Sequence, residues 1–299
     1  MDHIELSRIV DNIAHSYMDA QTPGYFDCLE ALDALEFNVL DFMDEGYASG
    51  EMGIVRDQAM VLHTQLTSIA QTTIDNLIRD IRSQQLAAPA LKQLFNQFAH
   101  SVSDKSIGDQ PDFDLFDDFL SHLLHTDYEP SETRPRTEEM YYLQPTPGRI
   151  ILDMINELPF TAADCFYDFG SGLGCVPILV SLLTDACAVG IEYELTYTHY
   201  AQCSAQQLGM VDVEFRNMDV LDADFSDGTI FFMYTPFTGG ILRKVLNRLR
   251  DLSKQRPITL CTYGPCTPII EQETWLYPIR RSKGKIYRLA IFKSEDPAR

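Results

Sequence analysis

The feature that most constrains the fold is the stretch CFYDFGSGLGCVPIL, residues 165–179 of a 299-residue chain. An apolar run of strand type leads into three glycines at every second position, and a run with helical spacing follows. This order is typical of the first strand, turn and helix of a doubly wound sheet, in which ligands bind beyond the carboxyl ends of the strands. Glycine at such a turn lets the backbone approach a ligand where a Cβ atom would collide. The stretch therefore predicts a parallel α/β sheet with a ligand site at its first turn.

From residue 141 onward, short runs rich in β-branched and aromatic residues alternate with helical patterns. The runs predict seven strands, at 165–169, 186–191, 211–215, 229–234, 258–263, 275–279 and 287–292. Helical patterns separate most of the first five, which indicates a parallel sheet covered on both faces. The last two are joined by a turn too short for a crossover helix, so they must form an antiparallel hairpin at a sheet edge. The predicted fold class is α/β: a seven-stranded doubly wound, mostly parallel sheet with a C-terminal antiparallel hairpin, preceded by an all-α helical domain.

The first 126 residues have a different pattern. Apolar residues recur mostly every three or four positions with acidic residues between them, and turn-rich breaks divide the pattern into about five helices. Residues 127–140 are polar and contain two prolines, and the net charge per residue changes across them. We therefore predict an acidic helical bundle at 1–126, a linker at 127–140 and an α/β domain at 141–299.

The formal net charge is −21, and most of the acidic excess lies in the first 140 residues. Binding to a phosphate backbone depends on lysine and arginine that displace counterions, so free duplex nucleic acid is disfavoured as a partner. The acidic half would instead attract a basic protein partner, an attraction that fades with salt. The first residues show neither the basic nor the apolar region typical of a leader sequence, and no run of 18 uncharged apolar residues occurs, so we expect a cytoplasmic protein without a membrane span. The seven cysteines form no CxxC pair and no complete disulfide set, and we assign no metal ligands.

The spacing of the glycines discriminates between ligands. A dinucleotide fingerprint, GxGxxG, would require glycine or alanine at position 175, where this chain has Cys175. Asp168 stands two residues before the first glycine, Gly170. A carboxylate there would face a pyrophosphate badly but suits the ammonium group of an amino acid. The turn therefore indicates a ligand with an amino-acid end.

At this point residues 141–299 resemble the class I, Rossmann-like S-adenosylmethionine-dependent methyltransferases. The resemblance begins with Asp168, Gly170, Ser171, Gly172 and Gly174, which have the form of the family's first motif. It implies a catalytic domain that binds S-adenosylmethionine, with the acid near the methionine moiety and the glycines passing beside it. The order of the later motifs is also that of the family.

Glu192 ends the second predicted strand. In the resembled family an acid at this place takes both ribose hydroxyls, and two carboxylate oxygens can accept from a vicinal diol. Glu194 is a neighbouring candidate, and we prefer Glu192 by position.

Asp219 and Val220 follow the third predicted strand. The resemblance implies that the acid accepts from the adenine amino group while the next backbone N–H meets a ring nitrogen. Asp222 and Asp224 lie in the same loop and are alternatives for the acid.

The fourth predicted strand ends in Tyr234, Thr235, Pro236 and Phe237. The family places its substrate-facing motif here, so these four are the catalytic candidates. Enzymes that methylate amino groups of adenine or glutamine carry Asn/Asp/Ser-Pro-Pro-Tyr/Phe at this place, and this chain has Tyr234 and Thr235 where its first two residues would stand. The departure puts methylation of nucleic-acid bases in doubt.

Upstream, Tyr142 and Thr146 precede an apolar helix. Thr146 is a suitable N-cap and Pro147 a suitable first helical residue, so the start of a helix is a sufficient structural reason for Thr146 and Pro147. The resemblance adds a second interpretation, because the family runs such a segment across the methionine end of the cofactor.

Three functions remain open at this level. The first is a methyltransferase acting on a small or medium-sized acceptor beneath the helical domain. The second is a protein methyltransferase of the lysine type that docks a basic partner on the acidic helices, and the motifs weakly resemble the non-SET histone-lysine methyltransferases. The third is a non-catalytic module that binds the cofactor and acts by interaction. The intact acids and glycines favour a cofactor-binding enzyme, and the sequence does not name the acceptor.

Overall fold

A computed structural model of the chain describes residues 2–18, 24–41, 50–102, 113–126 and 130–295. The chain forms two compact units, Met1–Asp80 and Ile81–Arg299. The first unit contains α1 (His3–Met18), α2 (Tyr25–Leu35), a π-helical turn (Glu36–Leu40) and most of α3 (Glu51–Arg82). α1 and α2 pack on each other, and apolar side chains at the predicted helical spacing, including Leu6, Leu29, Leu35 and Val39, are buried.

The second unit begins with two further helices, α4 (Ala88–Ser101) and α5 (Leu115–Leu124). Phe95 of α4 lies edge-on to Phe119 of α5, with ring centroids 5.4 Å apart. α4 also contacts α7 (Cys175–Leu183), and α5 contacts α6 (Gly148–Glu157). Through these contacts α4 and α5 belong to the second unit, which begins at residue 81. The sequence instead predicts a domain boundary at 126. The boundary at 126 and the linker at 127–140 stay predictions, and residues 127–129 lie outside the described residues.

A seven-stranded sheet forms the centre of the second unit, in the order β3-β2-β1-β4-β5-β7-β6. Its strands are β1 (Cys165–Phe169), β2 (Cys187–Glu192), β3 (Val213–Asn217), β4 (Ile230–Met233), β5 (Thr259–Thr262), β6 (Leu276–Arg280) and β7 (Ala290–Ser294). The first five pair in parallel, and β7 pairs antiparallel with both β5 and β6. The predicted fold class is confirmed.

The connections position the site. α7 links β1 to β2, α8 (Leu195–Gln207) links β2 to β3, and α9 (Gly239–Ser253) links β4 to β5. A short helix, α10 (Thr267–Ile270), follows β5. The chain moves outward in one direction from β1 to β3 and in the other from β4, so the strand order reverses beside β1. Such a reversal opens a crevice at the carboxyl ends of the strands, which is where ligands bind in this architecture.

The core of the sheet is aromatic. Tyr167 and Phe169 of β1 pack with Phe231 of β4 in one buried cluster that includes the apolar face of α9. No helix among the described residues is long and apolar enough to cross a membrane.

Candidate functional site

One cavity of about 430 Å³ lies at the carboxyl ends of the parallel strands. Its floor comes from the turns after β1, β2, β3 and β4, and further walls come from α5 and from residues 132–146. Its size falls within the range of small-molecule sites, roughly 300–1,000 Å³. The residues that line it include Asp117, Arg134, Arg136, Tyr142, Thr146, Asp168, Ser171, Glu192, Glu194, Asp219, Tyr234, Pro236 and Phe237.

Asp168 is the last but one residue of β1, and its side chain is buried, at 3% exposure. No described residue donates a hydrogen bond to its carboxylate. Burial first, and then the nearby Glu192 carboxylate, raise the pKa of Asp168 well above its ordinary range. A buried carboxylate without a donor is costly to ionise, and a cationic group in the cavity would relieve that cost.

The turn after β1 is tied to β2 by backbone hydrogen bonds, since Gly170 N and Ser171 N both donate to Ile191 O, at 2.9 and 3.1 Å. Gly170 has φ +76°, and a Cβ atom there would lie 2.3 Å from Cβ of Pro236. Gly172 has φ +53°, and a Cβ atom there would lie 2.5 Å from Leu143 Cδ1. The two glycines thus let the turn pass close to the side chains of Pro236 and Leu143.

Two further residues of the motif differ in placement. The Ser171 hydroxyl is buried and has no hydrogen-bond partner among the described residues. Gly174 caps α7 with φ +87° and does not line the cavity. A Cβ atom there would lie 2.6 Å from Cβ of Ala201. Ser171 therefore remains a ligand candidate, and Gly174 has a packing reason for lacking a side chain.

Glu192 holds the turn and the start of the next helix together. Its Oε2 accepts from Gly172 N and its Oε1 from Glu194 N, both at 2.8 Å. Burial raises the pKa of Glu192, although these backbone hydrogen bonds oppose the shift. Each oxygen accepts one hydrogen bond and retains capacity for another, as binding of a vicinal diol requires.

Glu194, the alternative to Glu192, is occupied by its own chain. It accepts from Thr133 Oγ1 at 2.6 Å, from Thr133 N and Arg134 N at 2.9 Å, and from Thr196 N at 3.1 Å. Burial alone would raise its pKa, but these hydrogen bonds outweigh burial and lower the pKa to about 2. Glu194 is thus an ionised anchor for the segment at 133–134, and Glu192 remains the acid with spare acceptors.

Of the three acids after β3, Asp219 alone lines the cavity. Its Oδ1 accepts from Leu221 N at 2.9 Å, which shapes the loop, and Val220 beside it also lines the cavity. Met218 N donates to Glu192 O at 2.9 Å and so brings this loop next to β2. Asp222 and Asp224 are exposed, so the structure distinguishes Asp219 from both alternatives.

The turn after β4 divides its four candidates. Tyr234, Pro236 and Phe237 line the cavity, and Thr235 does not. Thr235 is buried at φ +42°, where its hydroxyl donates to Tyr263 O at 3.2 Å and accepts from Cys266 N at 2.9 Å. Burial, with a smaller contribution from Tyr287, raises the pKa of Tyr234 to about 12. The Tyr234 phenol therefore stays protonated near neutral pH and can donate a hydrogen bond but not act as a base.

Tyr142 and Thr146 both line the cavity. The Tyr142 ring is 75% exposed overall, and the guanidinium carbon of Arg136 lies 3.3 Å from its centroid. Helix α6 begins at Gly148, one residue later than predicted, with Pro147 at the cap. Thr146 therefore does not cap the helix.

Asp117 of α5 supplies that cap and lies outside every site motif of the sequence. Its Oδ1 accepts from Gly148 N at 2.7 Å, and its Oδ2 from Asp114 N at 2.9 Å. Burial raises the pKa of Asp117 to about 6 against the effect of these donors. Asp114-x-x-Asp117 is a recognisable helix start, but nothing local places it beside β1.

Arg134 and Arg136 are the other cavity residues that motif reasoning missed. They are the only lysine or arginine residues between positions 106 and 148, which is the one signal that could have singled them out. Among the described residues, no group of three or more His, Cys, Asp or Glu side chains is arranged to hold a metal ion.

No protein-family model matches the chain. No curated protein matches it either. Similar solved structures include an RNA methyltransferase from Salinibacter ruber in complex with S-adenosyl-L-homocysteine, at 24% identity, a TM-score of 0.41, and coverage of 52% of this chain and 95% of that one. Precorrin-6y C5,15-methyltransferase from Geobacter metallireducens is 15% identical, with a TM-score of 0.38, and covers 50% of this chain and 89% of its own.

A ribosomal protein L11 methylase from Lactobacillus delbrueckii subsp. bulgaricus is also similar, at 15% identity, a TM-score of 0.39, and coverage of 50% of this chain and 78% of that one. The fold itself is read from this chain's own topology. Five parallel strands, a reversal beside β1 and an antiparallel β7 between β5 and β6 form the sheet. The chain therefore has a Rossmann-like, doubly wound α/β fold.

Proposed function

We propose that the chain binds S-adenosylmethionine in this cavity and transfers its methyl group to an acceptor. One observation carries the proposal: Asp168 and Glu192 lie at the carboxyl ends of adjacent strands and line a single cavity, with the glycine turn between them. The two carboxylates would repel a pyrophosphate, and they complement an ammonium group and a ribose diol. S-adenosylmethionine carries both of these groups and a sulfonium, with no phosphate.

The residues present fit this cofactor. Asp168 would hold its ammonium group, and the turn with Gly170, Ser171 and Gly172 would pass along its methionine part, where the buried Ser171 hydroxyl lacks a partner among the described residues. Glu192 would take the ribose hydroxyls through the oxygens that already bind backbone N–H groups. Asp219 would accept from the adenine amino group.

When bound, the cofactor supplies a methyl group on an already activated sulfonium leaving group. The protein's part is then alignment and exclusion of water. Pro236 and Phe237 shape the wall beside the glycine turn, since Pro236 lies against Gly170. Tyr234, protonated and half-buried, can orient an acceptor by donating a hydrogen bond. If the acceptor is an amine, a cavity carboxylate or water can receive its proton, because Tyr234 stays protonated.

The cavity walls favour a small or medium-sized acceptor. Residues 132–146 and α5 line it opposite the strand ends, so the space is bounded on several sides. The alternative, a protein methyltransferase that docks a basic partner, draws on the formal net charge of −21. A cofactor-binding module without transferase activity is the third possibility, and each predicts a different outcome of one experiment.

The experiment is incubation of the full chain with methyl-labelled S-adenosylmethionine and three acceptor panels: small metabolites, basic proteins and RNA. We expect label in small molecules, with transfer lost in Glu192→Ala and retained in Glu138→Gln, an exposed glutamate outside the cavity. Label in basic proteins that falls steeply with salt would support the alternative. Cofactor binding without transfer to any panel would support the non-catalytic module.

A further inference from the structure

Arg136 lies in a segment that is fixed at both ends. On one side Glu194 accepts from Thr133 N and Arg134 N at 2.9 Å. On the other side the Glu139 carboxylate accepts from Gly240 N at 2.6 Å and Ile241 N at 3.0 Å, at the start of α9. Two carboxylates therefore hold the segment over the cavity, and Arg136 lines the cavity between them.

The guanidinium of Arg136 has unused donors. Its Nε and Nη1 atoms are buried and have no hydrogen-bond partner among the described residues. Glu132 Oε2 lies 3.1 Å from Nε, close enough for an ion pair but outside hydrogen-bonding geometry. The Tyr142 ring supports the guanidinium on one face, at 3.3 Å from ring centroid to guanidinium carbon. Native proteins rarely leave buried donors of a charged group unpaired, so such donors point to a ligand.

Arg134, the other arginine of the cavity, differs from Arg136 in its hydrogen bonds. Arg134 donates from Nη1 to Tyr193 O at 3.0 Å and lies over the Tyr193 ring, so part of its donor capacity is already used. These two arginines are the only cations that line the cavity within the described part of the chain. Seven carboxylates line the same cavity: Asp117, Asp118, Glu132, Asp168, Glu192, Glu194 and Asp219. Of the two arginines, Arg136 has the buried donors without a partner among the described residues, so it is the better place for an anionic group of a ligand.

We propose that Arg136, stacked on Tyr142, is a carboxylate-binding site of this cavity. Guanidinium donors match a carboxylate better than an ammonium does, and stacking on an aromatic ring fixes their plane. The inference rests on the proposed function, which offers two sources of a carboxylate, the amino-acid end of the cofactor and the acceptor. Leu143, next to Tyr142, lies against Gly172, so the site stands beside the turn that would hold the amino-acid end. The cofactor carboxylate is the nearer source.

The test is calorimetry on the full chain with S-adenosylmethionine and its decarboxylated analogue, in the wild type and in Arg136→Gln. For the cofactor source, loss of the carboxylate weakens wild-type binding by on the order of tenfold to a hundredfold. Arg136→Gln weakens the binding of S-adenosylmethionine by a similar factor, and this variant binds the two compounds equally. Arg136→Lys recovers part of the discrimination, and Arg243→Gln, which loses an exposed ion pair with Glu273, leaves both affinities unchanged.

For the acceptor source, Arg136→Gln leaves S-adenosylmethionine affinity unchanged. The wild type with S-adenosylhomocysteine bound is then stabilised in a thermal-shift assay by simple carboxylates such as acetate, succinate and benzoate, and the variant is not. If the wild type binds both cofactor compounds equally and binds none of these carboxylates, the inference is overturned but the proposed function is not. Discrimination that survives intact in both Arg136→Gln and Arg136→Lys, together with no stabilisation of the wild type by these carboxylates, would overturn the inference as well. A wild type that binds neither S-adenosylmethionine nor S-adenosylhomocysteine would overturn the proposed function together with the inference.

Discussion

Gly172 N donates to Glu192 Oε2 at 2.8 Å, which joins the turn after β1 to the end of β2. The acid that would bind the ribose therefore also fixes the turn that would hold the amino-acid end. The second oxygen of Glu192 accepts from Glu194 N at 2.8 Å, so the carboxylate is oriented before any ligand arrives. Preorganisation of this kind lowers the cost of binding.

Substitution of Glu192 should separate the two ends of the ligand. We expect Glu192→Ala to weaken both S-adenosylhomocysteine and adenosine by at least about tenfold, because both contain the diol and each lost charged hydrogen bond is worth about 1.5–3 kcal/mol. Asp168→Asn should weaken only S-adenosylhomocysteine, since adenosine has no ammonium group. Calorimetry with the two ligands gives the comparison, and Glu138→Gln is the control. Equal loss of adenosine in both variants would contradict the assignment.

Gly170→Ala should destabilise the second unit more than a glycine substitution in open space does. Gly170 and Gly284 have nearly the same φ, +76° and +77°, but only Gly170 has a neighbour, Pro236, within 4 Å of the added Cβ. Backbone strain alone costs roughly 1–2 kcal/mol, and overpacking adds about 1–3 kcal/mol at Gly170. Urea unfolding followed by Trp275, the chain's only tryptophan, measures the difference. Equal costs for the two variants would show that Pro236 gives way.

Thr235→Val should affect stability rather than binding. The hydroxyl bonds Tyr263 O and Cys266 N in a buried place outside the cavity, so its loss should cost about 1–3 kcal/mol. S-adenosylhomocysteine affinity should stay within about twofold of wild type. Urea unfolding and calorimetry on the same sample decide the matter. A stable variant with weaker binding or transfer would restore Thr235 as a substrate-facing residue.

Glu194 should make the free energy of unfolding depend on pH in the acidic range. Its pKa is about 2 in the folded chain and higher when unfolded, so its contribution is present above the unfolded pKa and is lost as the pH falls toward 2. Glu194→Gln should therefore have a lower free energy of unfolding than the wild type at pH 7, and the difference between the two should narrow below about pH 4.5. Unfolding free energies from urea titrations at a series of pH values test this. A gap that stays constant with pH would mean that the Glu194 charge is not what anchors Thr133.

The sequence predicted the sheet well because its signal is local. Each strand is a short run of β-branched or aromatic residues, and the observed strands begin within three residues of the predicted ones. Asp168 lies near the end of one such run and Glu192 directly follows another, and the carboxyl ends of neighbouring parallel strands meet at one edge. The sequence therefore predicts that the two acids lie close together.

Other parts of the site depend on contacts between distant residues, which no local pattern records. The direction of the Thr235 side chain is set by its hydrogen bonds to Tyr263 and Cys266, which follow β5 in the chain. Asp117 reaches the cavity only because α5 packs on α6. The separation of the compact units at residues 80 and 81 has the same origin, since periodicity shows that a helix exists but not what it packs against.

The central claim is that the cavity beside Asp168 and Glu192 binds S-adenosylmethionine. It is tested most directly by calorimetric titration of the full chain with S-adenosylhomocysteine, beside the double variant Asp168→Asn/Glu192→Ala. The account predicts one saturable site per chain in the wild type and affinity weakened by at least about a hundredfold in the double variant. No binding to the folded wild type, or equal binding by both proteins, would contradict it.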